Sequence, residues 1–458
     1  MSTDETLKPQ KNTLLEGVLW KGIIRYALPL MISFVIQQLY NTVDTAIVGR
    51  FAGSDALAAV GSTNSLVNLL VGVFLGVANG TGVVFGTYYG ANDAKSMKRV
   101  LDTAVMIAAI AGALLTAVGV VLAPMMLGLI NCPESIIGMA AVYLRIFFSG
   151  MIMMLLYNVG GGIILASGDS RSPLIYLAIS GFVNFVLDYV FVAIFHWGVG
   201  GAAFATVLAQ LLSAVLIFFH LIKRFPEEYR LIPSKMKWDG HMAGQIMKIS
   251  IPCAIQSAMF DIANLIIQSF VNSHGATVIA AMTAYNKIDA FTFILTRSFS
   301  MTASTLSSQC LGACEPKRSR TGIRLCMAFS MSSTVVLAAV YILFGRTFLK
   351  LFTDDAAVLD HGVLLFRTIT PLGWTYAVSE IIGGGIRGAG RPGPVTAITA
   401  ITICGFRILW LSTVCTFLTD DIRFVYLCYP LSWTLCNIVM VIYYRTHIDK
   451  IYRPVPAK

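Results

Sequence analysis

The chain has 458 residues, of which 57% are hydrophobic and 12% charged, with a formal net charge of +10. Soluble domains hold about 45–50% apolar and about 25% charged residues, so this chain cannot hide its apolar surface in one aqueous globule and belongs in a bilayer. No polar domain is left over in which a soluble enzyme could be built.

The first dozen residues, MSTDETLKPQKN, read as a polar, disordered tail with no short apolar stretch and cleavage site, hence no cleaved signal peptide. Twelve apolar runs follow, at 24–49, 56–87, 99–123, 134–164, 173–195, 201–222, 245–271, 277–308, 321–344, 359–386, 394–418 and 422–445. Each is long enough to cross about 30 Å of hydrocarbon as a helix. A membrane barrel would need short alternating strands, whereas these runs are long and uniformly apolar. The expected fold is therefore an all-α polytopic membrane protein with twelve transmembrane helices.

Charge sets the orientation. With the N-terminus inside, the tails and inward loops hold 24 of the 33 Lys and Arg, the outward loops hold four, and five lie within spans. That bias is a positive-inside signal. It places both termini in the cytoplasm of a plasma-membrane protein and explains the basic excess without nucleic acid. The nine cysteines are scattered, mostly in apolar runs, and read as small buried hydrophobes. No HExxH or GxSxG motif and no metal-ligating or nucleophile constellation is present, which argues against an intramembrane enzyme. No repeated filter loop suggests a channel.

The chain partly matches itself at an offset of about 222 residues. RYALP (25–29) meets KISIP (248–252), YYGANDAK (88–95) meets CLGACEPK (310–317), YLRIFFSG (143–150) meets LFRTITPLG (365–373), and ASGDSRSP (166–173) meets GAGRPGP (388–394). Each half holds six spans, so both enter the membrane the same way, as two six-helix bundles related by a pseudo-two-fold axis along the membrane normal. The expected divisions are a tail at 1–20, a lobe at 21–222, a basic linker at 223–244, a lobe at 245–445 and a tail at 446–458. A cavity between the lobes, lined mainly by spans 1, 2, 7 and 8 and their neighbours, would open alternately to either side.

Carboxylates inside a span are functional candidates by default. In VNFVLDYVFVAIF (183–195), Asn184 and Asp188 stand at i,i+4 on one helix face, and Asp44 lies at similar depth in span 1. A carboxyl that gains and loses a proton in a dry site could couple transport to H⁺, and with the Asn184 oxygen the acids could hold Na⁺; the bland alternative is a static hydrogen bond between helices. Asp261, Lys287, Asp289 and Glu380 put charge in the second lobe, for coupling, for substrate, or as an ion pair of Lys287 with Asp261 or Glu380. Arg145 and Arg367 repeat across the halves and read as structural. Gln37, Gln38, Tyr40, Met153, Tyr157 and Met259 are candidates to line a substrate cavity, because flexible Met and aromatic faces suit a promiscuous binder.

NTVDTAIVGR (41–50), GVANGTGVVFGTYYGAND (76–93), ASGDSRSP and IRGAGRPGP, together with the six-plus-six repeat, resemble the multidrug and toxic compound extrusion family over nearly the whole chain. That resemblance implies export of amphipathic, often cationic drugs in exchange for H⁺ or Na⁺. Its partners would be small-molecule drugs, organic cations and the lipid bilayer, with no enzyme activity, no cofactor beyond the coupling ion, and a functional monomer. Asp44, Asn184 and Asp188 match the acids of the branch related to the DNA-damage-inducible exporter. Asp261 and Glu380 fit the norfloxacin-exporter pattern poorly. A lipid or lipid-linked-sugar flippase of the same superfamily is the alternative; the twelve spans and intramembrane acids argue against it.

Overall fold

The computed structural model describes residues 14–452 except Asn131 and Asp420; the polar tail before residue 14 and the last six residues lie outside the described residues. Among the described residues there are helices and no strands. In order they are α1 (Leu19–Phe51), α2 (Ser54–Gly90), α3 (Ala94–Leu129), α4 (Glu134–Ser149), α5 (Met151–Ala166), α6 (Arg171–Asp188) and α7 (Gly198–Lys223), then α8 (Gly240–Ser273), α9 (Ala276–Gly312), α10 (Pro316–Leu349), α11 (Ala356–Ile369), α12 (Gly373–Gly388), α13 (Pro392–Thr399), α14 (Phe406–Trp410) and α15 (Ile422–Ile451).

All twelve apolar runs are helical, but not all are single helices. Ten described segments are individually long and apolar enough to cross a membrane. The fourth run is the pair α4–α5, bent by 48° at Gly150. The tenth is α11 and α12, joined by a 3-10 turn at Thr370–Leu372. Both breaks fall in the stretches that match across the repeat, directly after Arg145 and Arg367. Those two arginines are exposed, each one turn before its break.

The repeat is written into the backbone. Gly53 and Gly275, Asn92 and Cys314, and Gly168 and Gly390 all adopt positive φ, and the members of each pair stand 222 residues apart. In hydrocarbon the backbone must satisfy itself, so such conformations gather in the turns, at equivalent places in each half. Of the three wide π-helical turns among the described residues, Tyr189–Ile194 after α6 and Leu411–Leu418 after α14 correspond, whereas Ala400–Gly405 falls opposite regular helix of α6.

Two large apolar clusters form the cores. One runs from Ile47 through Cys253 and the other draws on Ile267 through Tyr452. The expected division at 222/245 is crossed twice. Ile23 and Ala27, in the first turns of α1, pack into the second cluster, and Met242–Cys253, in the first turns of α8, pack into the first. The linker is shorter than expected, since α7 ends at Lys223 and α8 begins at Gly240, and α15 runs on past residue 445 to Ile451.

The lobes meet along a seam of small residues. A Cβ built on Gly76 would lie 2.7 Å from the Ala254 nitrogen, and one on Gly90 would lie 1.9 Å from the Gln309 carbonyl oxygen. Real Cβ atoms do not come so close, so only glycine permits α2 to lie this near α8 and α9. The contacts run from Gly72, opposite Ser257, to Gly312, opposite Thr87, which closes the half of the interface where α2 ends and α8 begins.

Candidate functional site

α6 buries a polar stripe. Its buried residues are Pro173, Tyr176, Ser180, Asn184 and Asp188, nearly one per turn. Its other side carries Ile175, Ile179, Phe182, Phe185 and Val186, exposed to the surroundings, which in a bilayer are lipid. The stripe's first members are satisfied: the Tyr176 hydroxyl bonds His220 Nδ1 at 3.0 Å, and the Ser180 hydroxyl donates to the Tyr176 carbonyl oxygen at 2.8 Å. The last two are not. Asp188 is 0% exposed, and neither of its carboxylate oxygens has a hydrogen-bond partner. The Asn184 Nδ2 is likewise unpartnered.

Three other helices bring matching groups. α1 carries Tyr40 and Asp44 one turn apart, and the Tyr40 hydroxyl and Asp44 Oδ1 are buried without partners. α4 supplies Tyr143, which with Tyr40, Asp44 and Asp188 lies within electrostatic reach of the group. α7 supplies Thr206 beside Tyr40, and Gln210, one turn on, whose Oε1 is unpartnered. Asp44 faces Asp188 across the α1–α6 contact, near enough to interact but with no well-formed hydrogen bond. A buried acceptor left unpaired costs about 1–3 kcal/mol, and more if charged. Several in one place mark a site completed by something else. The orphaned oxygens are hard donors, which suit a proton or a small hard cation. Two carboxylates fall short of the richer carboxylate sets that hold divalent ions, and no group of three or more His, Cys, Asp or Glu is clustered for a metal among the described residues. The α-helix gives way to a π turn directly after Asp188, with the Phe195 N–H bonded to the Val190 carbonyl oxygen at 2.9 Å. Such turns are frequent at functional sites.

The second lobe treats its charges differently. Glu380 does not pair with Lys287. Its Oε1 accepts from Arg387 at 2.5 Å and from the Ser300 hydroxyl at 2.9 Å. Arg387 also reaches Gln256 at 3.5 Å. Lys287 is exposed and makes no ion pair among the described residues, because it lies on the opposite side of α9 from the buried Asp289. Asp289 accepts from the Tyr285 hydroxyl at 3.1 Å beside a cavity of about 20 Å³. Asp261 is half-buried at the α2 seam, opposite Gly72. Arg407 is 2% exposed, donates to Ser432 and Asn264, and stacks on Tyr429 at 4.6 Å.

A central cavity of about 590 Å³ lies between the lobes, within the range of drug-sized sites. Gln37, Gln38 and Tyr157 line it, as the sequence suggests. Tyr40, Met153 and Met259 do not. Tyr40 points to the acid cluster instead. On α5 the lining positions are 154, 157, 158, 161, 162, 165 and 166, a face that leaves Met153 to one side. Spans 1, 2, 4, 5, 6 and 8 contribute and span 7 does not, because α8 is pressed against α2 along the glycine seam. Sequence reading missed Tyr143, Thr206 and Gln210 at the acids and Arg297 in the cavity. Thr206 and Gln210 show the same i,i+4 polar spacing as Asn184 and Asp188, so that signal was available.

Comparison with known proteins agrees with this architecture. The family model described as MatE matches residues 29–190 and 252–411, once in each half. A probable multidrug resistance protein of Bacillus subtilis is 25% identical over 455 residues, covering 97% of each chain. The DNA damage-inducible protein F of Escherichia coli is 25% identical over 401 residues, covering 86% of this chain and 85% of its own. Among solved structures, an outward-facing multidrug resistance transporter of the MOP superfamily superposes with a TM-score of 0.90 at 20% identity, over 97% of this chain and 99% of that one.

Proposed function

The chain belongs to the multidrug and toxic compound extrusion (MatE) family, and on that premise we propose that it exports amphipathic small molecules in exchange for H⁺ or Na⁺. It is a multi-pass membrane transporter and not an enzyme. The observation that carries the coupling proposal is Asp188, fully buried with both carboxylate oxygens unpartnered. An unpaired carboxylate in hydrocarbon is tolerated where its charge changes during the work of the protein. Neutralised by a proton, Asp188 sits comfortably among α1, α6 and α7. Ionised, it demands Na⁺, water or a shift of those helices. Asp44 provides the second charge that makes double ionisation unfavourable, and Asn184 and Tyr40 provide dipoles for either form.

The glycine seam supplies the moving part. With both termini cytoplasmic, as the positive-inside bias indicates, the closed half of the seam faces the cytoplasm and the central cavity belongs to the outward phase. Loading or losing the ion at Asp188 biases the α1–α6 contact, and the lobes rock between two packings. The bilayer in question is the plasma membrane. The multidrug resistance relatives and the drug-sized cavity support small-molecule drugs as cargo. The test is dye efflux from proteoliposomes under imposed H⁺ or Na⁺ gradients of each sign. Stimulation by one of them is expected, and indifference to both would end the antiport reading.

A further inference from the structure

The charge of the central cavity is set by one side chain. Among the described residues that line it, Arg297 alone is ionisable at neutral pH, and no Asp, Glu or His takes part. Its guanidinium lies 4.8 Å from the ring of Phe34 on α1, across the interface between the lobes. Among the described residues it makes no ion pair, and its guanidinium lies against the Phe34 ring. Glu380 is within electrostatic reach of it, but that carboxylate already answers Arg387 and the Ser300 hydroxyl. Asp44 and Asp188 lie behind the cavity wall, and Asp289 borders its own small cavity. Arg297 is thus a spare positive charge facing a cavity whose other polar groups are amides and hydroxyls.

We infer that this cavity binds amphipathic organic anions, with a carboxylate, sulfonate or phosphate held in the fork of Arg297 and an aromatic or alkyl body among Phe34, Phe293, Met154 and Met301. The proposal rests on the exporter reading of the same cavity and specifies its cargo; the family resemblance suggests cations, and the lining of this chain points the other way. A guanidinium offers five donors in a planar fork that matches a carboxylate or phosphate two bonds at a time. Phe34 lies against the guanidinium carbon, and among the described residues no hydrogen bond or ion pair engages its donors. An organic cation would find no acid in the lining to replace its water and would be repelled by Arg297. Both a soluble organic anion and an anionic lipid headgroup carry the right chemistry. A volume of about 590 Å³ favours the drug-sized soluble anion.

The test uses the purified full-length protein with two dyes, carboxyfluorescein as the anion and ethidium as the cation, binding followed by fluorescence anisotropy. Carboxyfluorescein is expected to bind at least about ten-fold more tightly, which is one charge-assisted contact in affinity. Arg297→Gln should weaken carboxyfluorescein by a similar factor and strengthen ethidium. Arg297→Lys should restore part of the anion affinity, which loss of folding would not allow. Ethidium binding as tight as carboxyfluorescein, or carboxyfluorescein affinity unchanged in Arg297→Gln, overturns the inference. A short-chain phosphatidylglycerol added in equimolar amount should leave the dye bound; complete displacement would assign the anion to lipid and overturn the soluble-cargo proposal. Gradient-driven efflux separates the two readings: ethidium export without carboxyfluorescein binding removes the anion proposal alone, whereas transport of neither dye under either gradient removes the exporter reading with it.

Discussion

The two lobes share a backbone plan and differ in how they treat charge. In the first lobe, Tyr40, Asp44, Tyr143, Asn184, Asp188 and Thr206 gather with several polar atoms unpartnered. Their counterparts 222 residues on are Ile262, Ile266, Leu365, Phe406, Trp410 and Cys428, an apolar set. In the second lobe the polar groups are Gln256, Ser300, Glu380 and Arg387; the counterparts of the last three are Ala78, Asn158 and Leu165, and that of Gln256, four residues after Pro252 as Ser33 is four after Pro29, is Ser33. There the carboxylate has its guanidinium and the guanidinium has its amide. The first half thus holds carboxylates that want a partner from outside, whereas in the second Glu380 and Arg387 have settled with each other and Arg297 is left unpaired towards the central cavity. The two bundles share a backbone plan, and different residues at equivalent positions leave buried carboxylate oxygens without partners in the first lobe and, among the described residues, not in the second.

The contrast is broken most severely by unpairing the second lobe. Glu380→Gln should strand Arg387 in a largely buried place, at a cost of about 3–5 kcal/mol. A thermal melt of the purified protein should show a large drop, and Glu380→Gln with Arg387→Met should recover most of it. Asp44→Asn should behave in the opposite way: full membrane levels and an unaltered melt, with gradient-driven efflux down by about an order of magnitude. Asn184→Ala should weaken coupling less, since the carboxyls remain.

The seam connects the lobes and gives an intermediate effect. Gly90→Ala brings a methyl against the Gln309 carbonyl oxygen, so the closed half should open. In a background freed of the nine native cysteines, a cysteine at Ser250, 1% exposed at this seam, should react with an impermeant maleimide only when Gly90→Ala is present.

The smallest difference lies at two equivalent helix starts. Asp93 caps α3, its carboxylate accepting from the Ser96 N–H at 3.0 Å, and Glu315 at the matching place makes no such bond to α10. Asp93→Ala should cost about 1 kcal/mol and Glu315→Ala much less, as measured by chemical unfolding. The bonds from Ser96 hold the Asp93 carboxyl below its usual value, so this contribution is present at neutral pH and fades as pH falls through that lowered value.

Much of this was legible in the sequence. The twelve spans follow from hydropathy, and the repeat from matched turns whose left-handed residues, such as Asn92 and Cys314, recur at the same interval. Asn184 and Asp188 were legible because a helix places i and i+4 together and carboxylates are costly in hydrocarbon. What the sequence could not supply was helix rotation. Tyr40 stands between the cavity residues Gln38 and Asn41, and only the neighbouring α6 decides that it turns away from the cavity. Arg387 was hidden for a different reason: it follows the last apolar residue of span 10 and counts as a loop charge, yet it stands two turns from Glu380 and folds back to meet it. Lys287, two residues from Asp289, shows the converse, since proximity in sequence puts the two on different sides of α9.

The most direct test of the account is the rate of dye efflux from proteoliposomes as a function of pH and of Na⁺, for the wild type and for Asp188→Asn. The substitution keeps the shape of the side chain and removes its titration. The wild type should respond to one of the two ions. Asp188→Asn should reach the membrane at normal levels, lose gradient-driven efflux by about ten-fold or more, and show no remaining dependence on that ion. Efflux by Asp188→Asn at the wild-type rate, with the same ion dependence, would contradict the account and leave Asp188 as a structural contact of α6.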